Sequence, residues 1–344
     1  MSTMTLQAVT RGRVRRNRRR RTVVAVLAAI VVAAFAVSLM AGQTFYPPGD
    51  VLRVILGETV PGASFTVGEL RLPRAVLALA TGVCFGLGGV TFQTMLRNPL
   101  ASPDIIGISS GASAAAAFAI IVLNLGETGV SVFAIAAGLG VAVVIYVLSF
   151  KDGVAGTRLV LIGIGMAAML DSATAYVLNQ AGQWDLQAAM RWLNGSLNGS
   201  TWDETVPVLL ALLVLGPVLL GQSRNLTMLR LGDDTAAALG TRLERTRLIA
   251  IVAAVGLIAF ATSATGPIAF VAFLAGPIAA RLVGPGGSLL VPSALVGAAL
   301  VLVADFAGQF AFSVRYPVGV VTGVLGAPYL IYLLVRTNRA GGSL

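Results

Sequence analysis

Residues 71–104 read RLPRAVLALATGVCFGLGGVTFQTMLRNPLASPD. An apolar run lies between Arg71 and Arg74 at one end and Arg97, Asn98 and Pro99 at the other. Crossing about 30 Å of hydrocarbon takes about 20 apolar residues in a helix, and this run supplies them. Its glycines at 82, 86, 88 and 89 are more than a stable soluble helix tolerates, each costing about 1 kcal/mol against alanine. Inside lipid the same residues let helix backbones approach, which replaces the missing hydrophobic drive for association. Gly82 and Gly86, Gly107 and Gly111, and Gly319 and Gly323 all have the small-xxx-small spacing of close helix packing. The stretch predicts a membrane-spanning helix held tightly inside a bundle.

The whole chain agrees. Of 344 residues, 57% are hydrophobic and 11% charged, whereas soluble domains carry about 25% charged residues. Apolar runs of span length predict an all-α, polytopic membrane protein with ten transmembrane helices. They cover about 22–41, 73–96, 105–124, 129–150, 157–180, 206–221, 247–264, 266–283, 289–312 and 317–335. An arginine-rich tail, 1–21, precedes this 22–335 domain, and a short tail, 336–344, follows it. Ten crossings put both termini on one side. With the 11–21 run (RGRVRRNRRRR) inside, 19 of the 24 basic residues are cytoplasmic, the bias of the positive-inside rule. Arg53, Arg71, Arg74, Arg191 and Arg315 remain outside. The formal charge of +10 invites a nucleic-acid reading. But the run directly precedes a span and has no aromatic or polar recognition surface beside it. It reads as a cytoplasmic anchor touching anionic membrane lipid, and no nucleic acid is expected as a partner.

Several chemistries are excluded. Cys84 is the single cysteine and there is no histidine, so neither a disulfide scaffold nor a Cys/His metal site is available. No G-x-x-x-x-G-K-[ST] motif occurs, so any ATP-driven cycle needs a separate subunit. The letters GIGMAA at 163–168 fit a dinucleotide fingerprint, but inside a span with no strand before them they carry no such meaning. Asn194 and Asn198 fit glycosylation acceptors and read equally as turns. Asp171 and Asp305 fall inside spans, where a carboxylate is costly unless paired or wet. Without intramembrane lysine or histidine they make a poor proton relay and read as structural, Asp171 satisfied by Ser172 and Thr174. Pro267, Pro277, Pro317 and Pro328 predict irregular helices.

The outer loops 42–72 and 181–205 have room for short surface helices. The inner segment 222–246 (QSRNLTMLRLGDDTAAALGTRLERT) is the longest polar stretch between spans. Within it, DDTAAAL opens with acids and ends at Gly240, the pattern of a short capped helix. It is a handle for a partner or an ordinary connector.

Together these pieces resemble a known family. RLPR at 71–74, Gln93, RNPLASP at 97–103, GISSGAS at 107–113, WLNGSL at 192–197, LGDDTAAALG at 231–240, GPIAFV at 266–271 and PVGVVTGVLGAPY at 317–329 are similar, in order and spacing, to the FecCD family. These are the permease subunits of iron–siderophore ABC importers, and they include the vitamin B12 permease. The pattern looks closest to permeases for ferric enterobactin-like catecholates, with haem or cobalamin as alternative cargo. The resemblance implies a type II ABC importer permease that is not itself an enzyme and binds no cofactor, ATP being used by the partner. It implies pairing with a second permease, identical or sister, with ferric siderophore passing between the two. A dimer of ATPase subunits docks below and an extracytoplasmic substrate-binding protein above.

The resemblance also assigns roles. Arg71 and Arg74 resemble arginines that grip glutamates of the binding protein, a task suited to the planar guanidinium fork. The family arginine of span nine is Gln309 here, with Arg315 as its substitute. Leu231, Gly232, Asp233, Asp234, Thr235, Ala236, Ala237, Leu239 and Gly240 resemble the helix that couples to the ATPase. Asn98 and Leu100 resemble the cytoplasmic gate. One departure stands out: family members carry Pro-His before Ile-Ala-Arg in span eight, where this chain has Gly276-Pro277-Ile278-Ala279-Ala280-Arg281. The pathway itself is expected to be lined by small, apolar and hydroxyl side chains.

Overall fold

The structure is a computed structural model and describes residues 3–103, 107–149 and 156–339. Asp104, Lys151 and residues 340–344 of the C-terminal tail lie outside the described residues. Fourteen α-helices and one π-helical segment make up the described chain, and no strand occurs among the described residues. The helices are α1 (Thr3–Met40), α2 (Pro48–Ile55), α3 (Leu72–Met95), α4 (Ile108–Ile121), α5 (Glu127–Ser149), α6 (Gly156–Asn179) and α7 (Gln183–Leu193). They continue with α8 (Trp202–Gly221), α9 (Ser223–Leu229), α10 (Asp233–Ala238), α11 (Leu243–Thr265), α12 (Val271–Val283), α13 (Leu290–Phe310) and α14 (Val318–Arg339). The π-helical segment Ser64–Arg71 runs directly into α3.

Seven helices are long and apolar enough to cross a membrane: α1, α3 with its π-helical lead-in, α5, α6, α8, α11 and α13. Three shorter apolar helices, α4, α12 and the 318–333 part of α14, fall on the other expected spans. Two spans start later than the apolar runs suggested, for the same reason. Gly107 (φ 83°) precedes α4, and Gly266 (φ 68°) and Phe270 (φ 64°) precede α12. A left-handed residue cannot continue a right-handed helix, so the chain breaks there. The 42–72 segment holds α2 and the π-helical turn, and 181–205 holds α7.

Helix α3 is the axis of the bundle. In its most apolar 18-residue window 83% of residues are buried, and 72% in that of α11, against 6% in α6. The glycines explain the difference. A methyl group on Gly82 would meet the Gly297 carbonyl of α13 at 2.5 Å. One on Gly86 would run into Ser293 of α13, and one on Gly89 into Ala272 of α12. The central helix thus touches two neighbours backbone to backbone. The other two pairs behave differently. Gly111 packs against Val141 of α5 while Gly107 breaks the chain, and Gly323 faces open space.

The arginine-rich start of α1 continues its span as one helix of 38 residues, about 57 Å long, so it extends well past a bilayer core. Arg19 donates to the carbonyl of Leu282 (3.2 Å), and Arg20 to those of Gly286 (3.2 Å) and Ser288. These arginines satisfy carbonyls left free at the C-terminal end of α12 and in the loop beyond it. That contact marks one end of the bundle as the basic end.

Candidate functional site

At the end of α3 opposite the basic one, both expected docking arginines already have partners. Arg71 donates from Nη1 to the carbonyls of Leu39 (2.9 Å) and Met40 (3.0 Å) and from Nη2 to that of Thr44 (2.7 Å). Its guanidinium lies 5.0 Å from the centre of the Tyr46 ring. It therefore closes the C-terminus of α1, whose last carbonyls have no helical donor. Arg74 forms a two-pronged ion pair with Asp305 of α13, Nε to Oδ2 at 2.9 Å and Nη2 to Oδ1 at 2.7 Å. Its third prong, Nη1, donates to Oδ1 of Asn198 at 2.8 Å. Gln309 donates to the same Asp305 carboxylate at 2.8 Å. The pair is mostly enclosed, with the Arg74 side chain 19% exposed and that of Asp305 9%. Arg315 is exposed and has no hydrogen-bond or ion-pair partner among the described residues.

At the basic end the geometry is looser. Arg97 turns the chain with φ 51°, and the Oδ1 of Asn98 accepts from Leu100 N at 2.8 Å. That Asx-type turn sends 99–103 away from α3. Asn98 is exposed, while Leu100 packs beside Phe273, Leu274 and Leu333. Below them lies α10. Its first residue, Asp233, takes two hydrogen bonds from Arg247 of α11 (2.9 and 2.7 Å) and a longer contact from Arg97 (3.7 Å). One carboxylate thus ties the short helix to both α3 and α11. The helix N-cap is Gly232 (φ 103°), without the side-chain cap that the acids suggested. Its C-terminus closes as expected at Gly240 (φ 84°), with Thr241 N bonded to Ala236 O and Gly240 N to Ala237 O, both at 2.9 Å, a Schellman pair. Ala236 is buried against the bundle, whereas Leu231, Asp234, Thr235, Ala237 and Leu239 are exposed. Among these, Leu231 and Leu239 are 58% and 59% exposed, an apolar rim around the short helix.

Between the two ends a groove of about 610 Å3 is lined by Ser102, Ser109, Ser110 and Ser113, by Phe270 and Phe273, and by Leu100 and Leu330. Among the described residues its walls are hydroxyl and apolar, with no charged side chain. Beside it, Pro277 lacks the N–H that would bond the carbonyl of Phe273 four residues earlier. Gln93 of α3, 7% exposed, supplies the missing donor, Nε2 to Phe273 O at 2.9 Å. Gly276 makes the room, since a methyl there would collide with the Gln93 side chain. Gly276-Pro277 is thus one half of a contact whose other half is Gln93.

Asp171 is not satisfied as expected. Ser172 and Thr174 donate instead to the backbone carbonyls of Ala168 (2.8 Å) and Leu170 (2.9 Å). Asp171 stays exposed on α6 without a partner among the described residues. Asp305, in contrast, is paired, with a partner 231 residues away.

Three residues escaped the sequence reading: Arg247 as the second holder of Asp233, Asn198 as the third contact of Arg74, and Gln93 as the donor to the α12 kink. Only the last had a signal, since a proline inside a helix orphans the carbonyl four residues back.

The FecCD transport family description matches residues 30–336. The ferric enterobactin transport system permease protein FepG of Escherichia coli (strain K12) is 36% identical over 318 residues, covering 91% of this chain and 96% of that one. The cobalamin import system permease protein BtuC of Halobacterium salinarum (strain ATCC 700922 / JCM 11081 / NRC-1) is 33% identical, covering 89% of this chain and 84% of that one. A solved structure described as an inward-facing conformation of a metal-chelate type ABC transporter superposes with a TM-score of 0.82 at 26% identity, over 92% of this chain and 99% of that one. With the family pattern matched across the helical bundle and a relative this similar along nearly its whole length, the chain belongs to the FecCD transport family.

Proposed function

We propose that this chain is the membrane-spanning permease of an ATP-driven importer that carries a ferric siderophore across the cytoplasmic membrane. In this reading α4, α12 and α14 cross together with the seven longer helices, giving ten crossings in a type II importer. The basic end faces the cytoplasm with both termini. ATP is hydrolysed by a separate pair of subunits that dock on α10 and its flanks, where the exposed Leu231, Thr235, Ala237 and Leu239 form the contact. The substrate-binding protein docks at the opposite end, on Arg71, Arg74 and Arg315. Asn98 and Leu100 close the route to the cytoplasm.

The observation that carries this reading is the family match over 30–336, with relatives that are permeases of iron and cobalamin import systems. The uncharged groove at Ser109, Ser110, Ser113, Phe270 and Phe273 supports it as the route of the cargo. Fixed charges along such a route would trap a bulky anionic chelate. The second permease covers α6. Its most apolar window is 6% buried, yet it exposes Asp171, and a carboxylate against lipid at mid-depth costs about 3 kcal/mol. A protein or aqueous surface beside Asp171 removes that cost. The alternative reading is cobalamin as the cargo in place of the siderophore, favoured by the Halobacterium relative.

The test is reconstitution of the permease, its ATPase and its binding protein in liposomes. Uptake of labelled ferric siderophore stops without ATP hydrolysis and persists when ion gradients are collapsed. Uptake that follows the ion gradient and ignores ATP would overturn the proposal.

A further inference from the structure

The Arg74 site presents a contradiction between its geometry and its task. A guanidinium that is to grip an incoming carboxylate side-on needs its Nε and Nη2 N–H groups free, yet Asp305 takes both, and Asn198 takes one of the two on Nη1. The cavity beside the pair, bounded by Ser38, Arg71, Arg74, Asp305, Phe306 and Gln309, measures about 40 Å3. That is room for a few water molecules and not for a glutamate side chain. A carboxylate from outside therefore finds the two-pronged Nε/Nη2 face already filled, and it reaches that face by taking the place of Asp305.

We propose that Asp305 is an internal stand-in for the partner's carboxylate, and that docking of an acidic residue of the substrate-binding protein displaces it from Arg74. This rests on the reading of Arg74 as a docking residue and adds a residue that controls it. Three features carry the exchange. Arg74 meets the exposed Asn198 at the rim, which gives an incoming side chain a way in. Gln309 already donates to Asp305 Oδ2 from one turn along α13, so the displaced carboxylate keeps a partner. And α3 and α13 are held below the clasp by backbone contacts at Gly82 and Gly86, so exchange frees only the ends of the two helices. A buried ion pair is poor evidence for stability alone, because desolvation offsets most of its attraction. Here the pair holds shut the one place where α3 and α13 end beside the docking face. Docking would then do two things at once: it gains an ion pair for the partner, and it releases the outer end of α3 from α13.

The exchange predicts an effect of opposite sign to simple loss of a structural bridge. In nanodiscs holding the assembled permease and ATPase, affinity for the system's own binding protein is measured for Asp305→Asn and Arg74→Gln. Asp305→Asn removes the competitor and tightens docking by about fivefold. Arg74→Gln weakens it by tenfold or more, and the double variant behaves like Arg74→Gln alone. If Arg74→Gln weakens docking while Asp305→Asn leaves it unchanged or weakened, the exchange is overturned and the docking role stands. If Arg74→Gln has no effect, the docking role falls, and the exchange with it. Should Asp305→Asn fail to assemble, Gln309→Leu decides. It leaves the ion pair in place but strips the displaced Asp305 of its holder, so docking weakens about threefold, and unchanged affinity refutes the exchange.

Discussion

Helix α3 carries an arginine–aspartate pair at each end, and the two are built differently. Arg74–Asp305 is two-pronged, mostly enclosed and held by an asparagine and a glutamine. Arg97–Asp233 is a single contact at 3.7 Å between side chains that are 50% and 38% exposed, and its aspartate is shared with Arg247. The first resembles a clasp with two settled states, closed or exchanged. The second resembles a joint, in which α10 shifts relative to α3 while Arg247 keeps hold. Enclosure decides the difference, since water screens an exposed pair and leaves it worth about 0–1 kcal/mol. The end proposed to meet a soluble partner is stiff and the end proposed to meet the motor is compliant.

Four variants test this contrast. The largest effect is expected at the clasp. Reversing Arg71 and Arg74 together to Glu removes two positive charges from the docking face and opposes an acidic partner. Affinity for the binding protein falls by about a hundredfold or more while ATPase binding is retained. Unchanged docking by titration would break the comparison at its stiff end. Next comes Ala237→Pro, which puts a ring against the first turn of α10 and removes its N–H. Transport per ATP hydrolysed falls at least about tenfold, with docking of the binding protein intact. Normal coupling in liposomes would remove α10 from the ATPase contact.

The third effect is at the middle. Gln93→Leu leaves the Phe273 carbonyl unpaired beside Pro277 and costs about 1–2 kcal/mol, read as a lower melting temperature in detergent. An unchanged melt would mean that water or relaxation replaces the bond. The smallest effect belongs to the joint. Arg97→Gln costs less than about 1 kcal/mol, and raising salt removes the difference from the parent chain. A loss as large as that of Arg74→Gln, insensitive to salt, would show the two ends to be alike.

Much of this was legible in residues 71–104 and the segments around them. The apolar runs located the seven long apolar helices and the three shorter ones, and Gly82 and Gly86 announced close packing that α13 supplies. Gly240 marked the end of α10 because a left-handed C-terminal residue has a strong residue preference. The starts of α4 and α12 were misplaced, since hydropathy does not register a backbone that turns left-handed at Gly107 or Phe270. Asp171 was misassigned for a related reason. Adjacent hydroxyls look like partners in a sequence, but in a helix Ser172 and Thr174 bond to carbonyls four residues back.

By itself, then, the sequence determined what depends on local composition and period: the membrane class, the helical spans, the basic end, the absence of a nucleotide motif and the family pattern. Tertiary structure alone decided which charges meet. Arg74 and Asp305 are 231 residues apart, and Gln93 and Phe273 are 180 apart. Nothing local in either segment names its partner, because a hydrogen bond depends on distance in space, which only the packed bundle sets.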